Sequence, residues 1–112
     1  MQLSDPNPQP AAPHEPAPEV SIVTPLYNGA EFFPETTESV LAQTFTDFEW
    51  IIVDDHSTDE TPCMLDDLAR FDSRVAIITF EENRGTIAAR NAAMQRARGR
   101  YIAFIDGDDL WL

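Results

Sequence analysis

Residues 102–109 read IAFIDGDD. The run YIAFI at 101–105 is aromatic, β-branched or small throughout and suits a buried strand, yet Asp106, Asp108 and Asp109 follow within the next four positions. Two carboxylates held about 3–5 Å apart repel and raise one another's pKa. A divalent cation removes that penalty, and hard oxygen ligands suit Mg²⁺ or Mn²⁺. With few protein ligands such an ion keeps open positions for phosphate oxygens. Gly107 permits a sharp turn or a close ligand approach. By itself the pattern also fits a solvated acidic turn.

Working outward, the residues before this stretch are basic. Between Arg84 and Ile105 stand five of the seven arginines, Arg84, Arg90, Arg96, Arg98 and Arg100, and no acidic residue. Arg84 and Arg90 lie nearest a predicted helix start, where free N–H groups and the helix dipole favour an anion. A metal beside such groups suits a diphosphate. Arg96, Arg98 and Arg100 read as a solvated face near the helix end.

The chain of 112 residues carries a formal charge of −13 and no lysine. That balance argues against nucleic acid or an anionic membrane surface as the main partner, since both need net positive charge. The single cysteine, Cys63, fits a reducing compartment and reads as a packing residue on a helix. Residues 1–19 hold six of the nine prolines and few large apolar side chains, so they are expected to form a disordered or extended tail. They lack the pattern of a signal peptide, and no apolar run approaches the ~20 residues that span a bilayer. The expected location is cytoplasmic, with peripheral attachment at the cytoplasmic face of a membrane as a variant.

From residue 20 onward four apolar runs appear: VSIVT at 20–24, FEWIIVD at 48–54, VAIITF at 75–80 and YIAFID at 101–106. They are apolar on both alternating faces, as strands covered on both sides should be. Helical spacing predicts helices over 31–43, 59–71 and 86–98, with Pro34 and Pro62 in first turns, Asp59 as an N-cap and Gly99 as a stop. Alternating strands and helices with right-handed crossovers give an open, mostly parallel α/β sheet with helices on both faces, at least four strands and three helices. Ligands then bind beyond the carboxyl ends of the strands.

At those ends stand TPLYNG, DDHSTD, EENRG and DGDD. Tyr27 offers a flat ring for a base, and Pro25 fixes the backbone beside it. Asp54 and Asp55 either cap a turn or accept from an imide or ribose hydroxyl. His56 reads as a left-handed turn residue, Trp50 as core, and Trp111 as less well covered. An exposed sheet edge or an apolar patch near Trp111 invites self-association.

Together, residues 20–61 and 83–111 resemble the amino-terminal half of a family 2 glycosyltransferase with the GT-A, Rossmann-like nucleotide-binding fold. The likeness runs over residues 20–112 and breaks off just after the DxD motif. It implies a nucleotide-sugar donor, commonly a UDP-sugar, a saccharide or lipid-linked acceptor, a divalent metal, and inversion at the anomeric centre. It implies that Pro25 and Tyr27 shape the base pocket, that Asp55 bonds the uracil edge with Asp54 supporting the turn, and that Arg84 and Arg90 lie by the diphosphate. Asp106 and Asp108 would be the DxD pair, Asp108 the direct metal ligand, Asp106 nearer the ribose, and Asp109 assisting. His56 stands where Gly or Asn is common in the family. The carboxylate that deprotonates the acceptor is expected beyond Leu112, so the chain should bind donor without transferring sugar. A non-catalytic nucleotide- or partner-binding remnant and an aspartyl phosphohydrolase are the alternatives; the latter favours DxDG[TV] after an early strand, unlike the D-G-D-D here.

Overall fold

A computed structural model describes residues 2–3 and 17–106. The elements in chain order are β1 (Gln2–Leu3), β2 (Val20–Leu26), α1 (Phe33–Leu41), β3 (Phe48–Asp54), α2 (Thr61–Phe71), β4 (Val75–Thr79), α3 (Thr86–Arg96) and β5 (Tyr101–Phe104). The sheet order is β1-β5-β2-β3-β4. Strands β2, β3, β4 and β5 run parallel, as expected, and β1 lies antiparallel on β5 with Gln2 opposite Ile102. The expected tail over residues 1–19 is corrected at its described parts: Gln2–Leu3 form this edge strand, and the Glu19 carbonyl accepts from Tyr101 N–H at 3.0 Å, pairings that no local pattern in the sequence signals. Asp108, Asp109, Gly107 and Trp111 fall outside the described residues.

The period-two alternation of β3 splits the core into two layers. Trp50 and Ile52 face α1 and α2, packing with Phe33, Val40, Leu65 and Leu68. Ile51 and Val53 face α3, packing with Ala89 and Ala93, whose small side chains let the helix lie close on the sheet. Trp50 is fully buried as expected. Its indole N–H donates to Thr24 Oγ1 at 2.9 Å and its ring lies 5.5 Å from that of Phe33, so the polar edge of a core aromatic is satisfied.

Three local expectations need correction. Helix α2 starts at Thr61 with Glu60 at the N-cap; Asp59 stands one position earlier, where its carboxylate still accepts from the helix's first N–H, Thr61, at 2.8 Å and also ties to Ala30 N–H at 3.3 Å. Helix α3 ends at Arg96 with Ala97 already extended, because the next amides leave the helix: Arg98 N–H donates to Glu49 Oε2 at 2.7 Å and Gly99 N–H to Ser21 Oγ at 2.7 Å. Gly99 is therefore a close-approach residue, since a Cβ there would meet the Ser21 backbone nitrogen at 2.5 Å. Cys63 is exposed on α2, not packed.

Candidate functional site

The chain steps from β2 to β3 to β4 in one direction, then returns through α3 to β5 on the other side of β2. The strand order thus reverses between β2 and β5, and a ligand crevice is expected beyond their carboxyl ends. Pro25 helps open it. Along β2 the Leu26 carbonyl accepts from Asp55 N–H at 2.9 Å, toward β3, while the Val23 carbonyl accepts from Ile105 N–H at 3.1 Å, toward β5. By that alternation Pro25 faces the β5 side, where it has no N–H to continue the ladder. Just beyond lies a groove of about 340 Å³ lined by Pro25, Leu26, Tyr27, Asn28, Gly29, Phe32, Thr86 and Asp106.

Two loops hold the groove wall. Asn28 takes φ +49° and His56 φ +64°, the left-handed region in which Asn and His are tolerated. Asn28 N–H donates to Ser57 Oγ at 2.9 Å, Asn28 Oδ1 accepts from Thr58 N–H at 2.8 Å, and Gly29 N–H donates to Thr61 Oγ1 at 3.0 Å. With the Ala30–Asp59 bond, these tie the strand-end loop of β2 to that of β3. Tyr27, half exposed, is carried on the pinned segment. Hydrogen bonds from Thr61, the largest effect, hold the Asp59 carboxyl below its usual range. His56 is an exposed turn residue, as the sequence suggests.

Asp54 and Asp55 are both buried. Asp54 Oδ1 accepts from Ser57 N–H at 3.0 Å, and its carbonyl accepts from Phe80 N–H at 2.9 Å. Asp55 reaches across to the start of α3: Oδ1 accepts from Arg84 N–H at 2.6 Å and Oδ2 from Gly85 N–H at 2.8 Å, while Asn83 Nδ2 donates to its carbonyl at 3.2 Å. Gly85, at φ +92°, forms the turn that this clamp fixes. The Arg84 guanidinium lies 4.8 Å over the Phe80 ring. Arg90 Nη2 donates to Asp106 Oδ1 at 2.8 Å, both side chains part-exposed.

The structure therefore brings Pro25, Tyr27 and Asp106 into one groove, with Arg90 attached to Asp106. Asp54, Asp55 and Arg84 form an adjoining knot at the end of β3 and do not line the groove. Sequence reasoning missed Asn28, Gly29, Phe32 and Thr86. The small hydroxyl-rich run STDET at 57–61 was the available signal for the loop clasp. Arg96, Arg98 and Arg100 are exposed, as expected.

Asp106 has the chemistry of a Mg²⁺ or Mn²⁺ ligand: a part-exposed carboxylate on the groove, at the tip of β5. Among the described residues no group of three or more His, Cys, Asp or Glu side chains could hold an ion, and Asp108 and Asp109 lie outside them. No helix among the described residues is long and apolar enough to cross a membrane.

This is an open α/β sheet of GT-A type with its crevice at the switch point. The family profile described as Glycosyl transferase family 2 matches residues 21–112, and the chain belongs to that family. It is 47% identical over 94 residues to the putative teichuronic acid biosynthesis glycosyltransferase TuaG of Bacillus subtilis, covering 84% of this chain and 37% of TuaG. It is 41% identical over 93 residues to WfgD of Escherichia coli, a UDP-Glc:alpha-D-GlcNAc-diphosphoundecaprenol beta-1,3-glucosyltransferase, covering 83% of this chain and 36% of WfgD. S. aureus TarS in complex with UDP-GlcNAc superposes with a TM-score of 0.77 at 32% identity, over 82% of this chain and 27% of TarS. The mannosyltransferase PcManGT of Pyrobaculum calidifontis, in complex with GDP-Man and Mn²⁺, gives a TM-score of 0.77 at 29% identity, over 85% of this chain and 29% of that one. The chain thus spans little more than a third of the length of these curated relatives.

Proposed function

We propose that residues 20–112 are the donor-binding half of a glycosyltransferase that moves a sugar from a nucleoside diphosphate, a UDP-sugar in the first instance, to an acceptor hydroxyl with inversion. The observation that carries this reading is the groove at the β2–β5 switch point, which joins an aromatic wall at Tyr27 to a carboxylate at Asp106. A relative of the same fold binds UDP-GlcNAc, and another holds GDP-Man with Mn²⁺.

In this reading Pro25 and Tyr27 shape the base pocket. Asp55, which is set back from the groove lining, is taken to meet the base edge in the complex, and Asp54 holds the turn. The Arg84–Gly85 turn and Arg90 face the diphosphate. Asp108, Asp106 and Asp109 would hold a Mg²⁺ or Mn²⁺ ion, which would supply positive charge beside the leaving diphosphate. Arg90, paired with Asp106, keeps that carboxylate directed along the groove. We assign the acceptor-activating base to none of the 112 residues. The acceptor is a saccharide or lipid-linked saccharide, in keeping with the diphosphoundecaprenol-linked substrate of WfgD, met at the cytoplasmic face of a membrane. The β4 edge, which pairs with β3 alone among the described residues, is the site for self-association.

Titration calorimetry with UDP, with and without Mn²⁺, tests the proposal. Binding that strengthens with the ion is expected, together with little or no sugar transfer by this chain. A folded sample that gives no heat with UDP refutes it.

A further inference from the structure

Phe32 and Phe33 are neighbours in sequence and opposite in fate. Phe33 is 1% exposed in the core, whereas Phe32 is 54% exposed. Phe32 sits at the N-cap of α1 and makes no side-chain capping bond there. Polar residues are favoured at such positions because they satisfy free helix N–H groups. Neither core packing nor capping thus accounts for a phenyl ring at this point. Its backbone is nevertheless fixed, because Phe32 N–H donates to the Gly29 carbonyl at 3.1 Å and Gly29 is itself tied to Thr61. The ring lines the same groove as the half-exposed Tyr27, with the polar lining supplied by Asn28, Thr86 and Asp106. A concave site with aromatic walls and a few polar groups suits a ligand that is flat and apolar at one end and charged at the other.

We infer that Phe32 is a second aromatic contact for the nucleotide base, completing with Tyr27 the apolar part of the groove; this rests on the nucleotide-sugar reading above. Base–aromatic contact tolerates any flat ring, so Phe32 supplies affinity while the neighbouring polar groups select the base. Its contribution belongs to the nucleoside, not to the phosphates.

The test uses the isotopically labelled 112-residue chain, titrated separately with uridine, UDP and inorganic pyrophosphate and followed by amide shifts. Phe32→Ala is expected to weaken uridine and UDP by the same factor, about tenfold, and to leave pyrophosphate unchanged. Phe32→Tyr, which keeps the ring, is expected to stay within about twofold of wild type. In the wild-type complex, Phe32 ring protons are expected to show nuclear Overhauser effects to H5 and H6 of the uracil. The inference is overturned if Phe32→Ala binds uridine and UDP like wild type, or if UDP alone weakens. The absence of Overhauser contacts in a saturated complex overturns it as well, independently of any effect of substitution on folding. Wild-type protein that binds neither uridine nor UDP overturns the parent reading too, whereas wild-type binding with an indifferent Phe32→Ala overturns this inference alone.

Discussion

Replacing Asp55 by asparagine puts the link between β3 and α3 to the test. The Asp55 carboxylate is 4% exposed and accepts from two backbone amides, Arg84 N–H at 2.6 Å and Gly85 N–H at 2.8 Å. An asparagine keeps one acceptor oxygen and turns an NH₂ group toward the other amide, donor against donor. One part-buried N–H then loses its partner, at about 1–3 kcal/mol. The surviving bond loses its charge assistance, about another 1 kcal/mol, and relief of carboxylate desolvation offsets part of the sum. The expected net loss is about 2–3 kcal/mol, a sizeable share of the ~5–15 kcal/mol that holds a small domain folded. Asp54→Asn is the internal control: Oδ1 accepts from Ser57 N–H, an asparagine oxygen can do the same, and the expected loss is about 1 kcal/mol or less. Urea unfolding followed by far-UV circular dichroism measures both. Amide hydrogen exchange adds the local reading, in which Arg84 and Gly85 exchange faster in Asp55→Asn than its global stability explains. An Asp55→Asn protein within about 0.5 kcal/mol of wild type, with those two amides equally protected, would refute the reasoning.

Three further outcomes are expected. Asn28→Ala loses the bond to Thr58 and places a Cβ-bearing residue without a helpful side chain at φ +49°, costing about 2 kcal/mol in chemical denaturation; Asn28→Gly loses only the bond, about 1 kcal/mol, and Asn28→Asp retains nearly full stability. Gly99→Ala drives a methyl to 2.5 Å from the Ser21 nitrogen, where backbone has to move, and lowers stability by about 3 kcal/mol, seen as a lower melting temperature. The Arg74 guanidinium, bonded to both oxygens of Asp72 at 2.7 and 3.0 Å, holds the Asp72 carboxyl below its usual range. A depressed folded pKa adds stability above the unfolded value of about 3.9, and that stability is lost as pH falls through the folded value. Asp72→Asn should therefore cost about 1 kcal/mol at neutral pH after allowance for solvent screening, and the difference from wild type should shrink in acid titrations of unfolding as pH falls below the unfolded value and through the depressed folded one.

The layers of the fold were legible because burial imprints itself locally. Trp50, Ile51, Ile52 and Val53 alternate between two cores, and a strand sandwiched between helices has no other way to be written. The strand-end rule likewise located Tyr27 and Asp106 before their groove was visible. What stayed hidden depends on partners far along the chain. Asn28 meets Thr58 thirty residues on, and Asp55 meets Gly85 after another thirty; no periodicity encodes either. Gly99 read as a helix stop because its true constraint, the Ser21 backbone, is 78 positions away. Cys63 read as packing because residue type was all there was to go on, and a helix presents even an apolar side chain to water on its outer face.

The clasp between the two strand-end loops is asymmetric. Three of its donors on the first loop, at Asn28, Gly29 and Ala30, are main-chain amides, while the second loop contributes the side chains of Ser57, Asp59 and Thr61. Main-chain groups survive a change of side chain. The loop carrying Tyr27 can therefore be rewritten at residues 27 and 30–32 to suit a different ligand while its partner goes on gripping the same peptide bonds. Anyone retuning this groove, by directed evolution or by design, should randomise residues 27 and 30–32 and leave Asn28, Gly29 and residues 57–61 untouched.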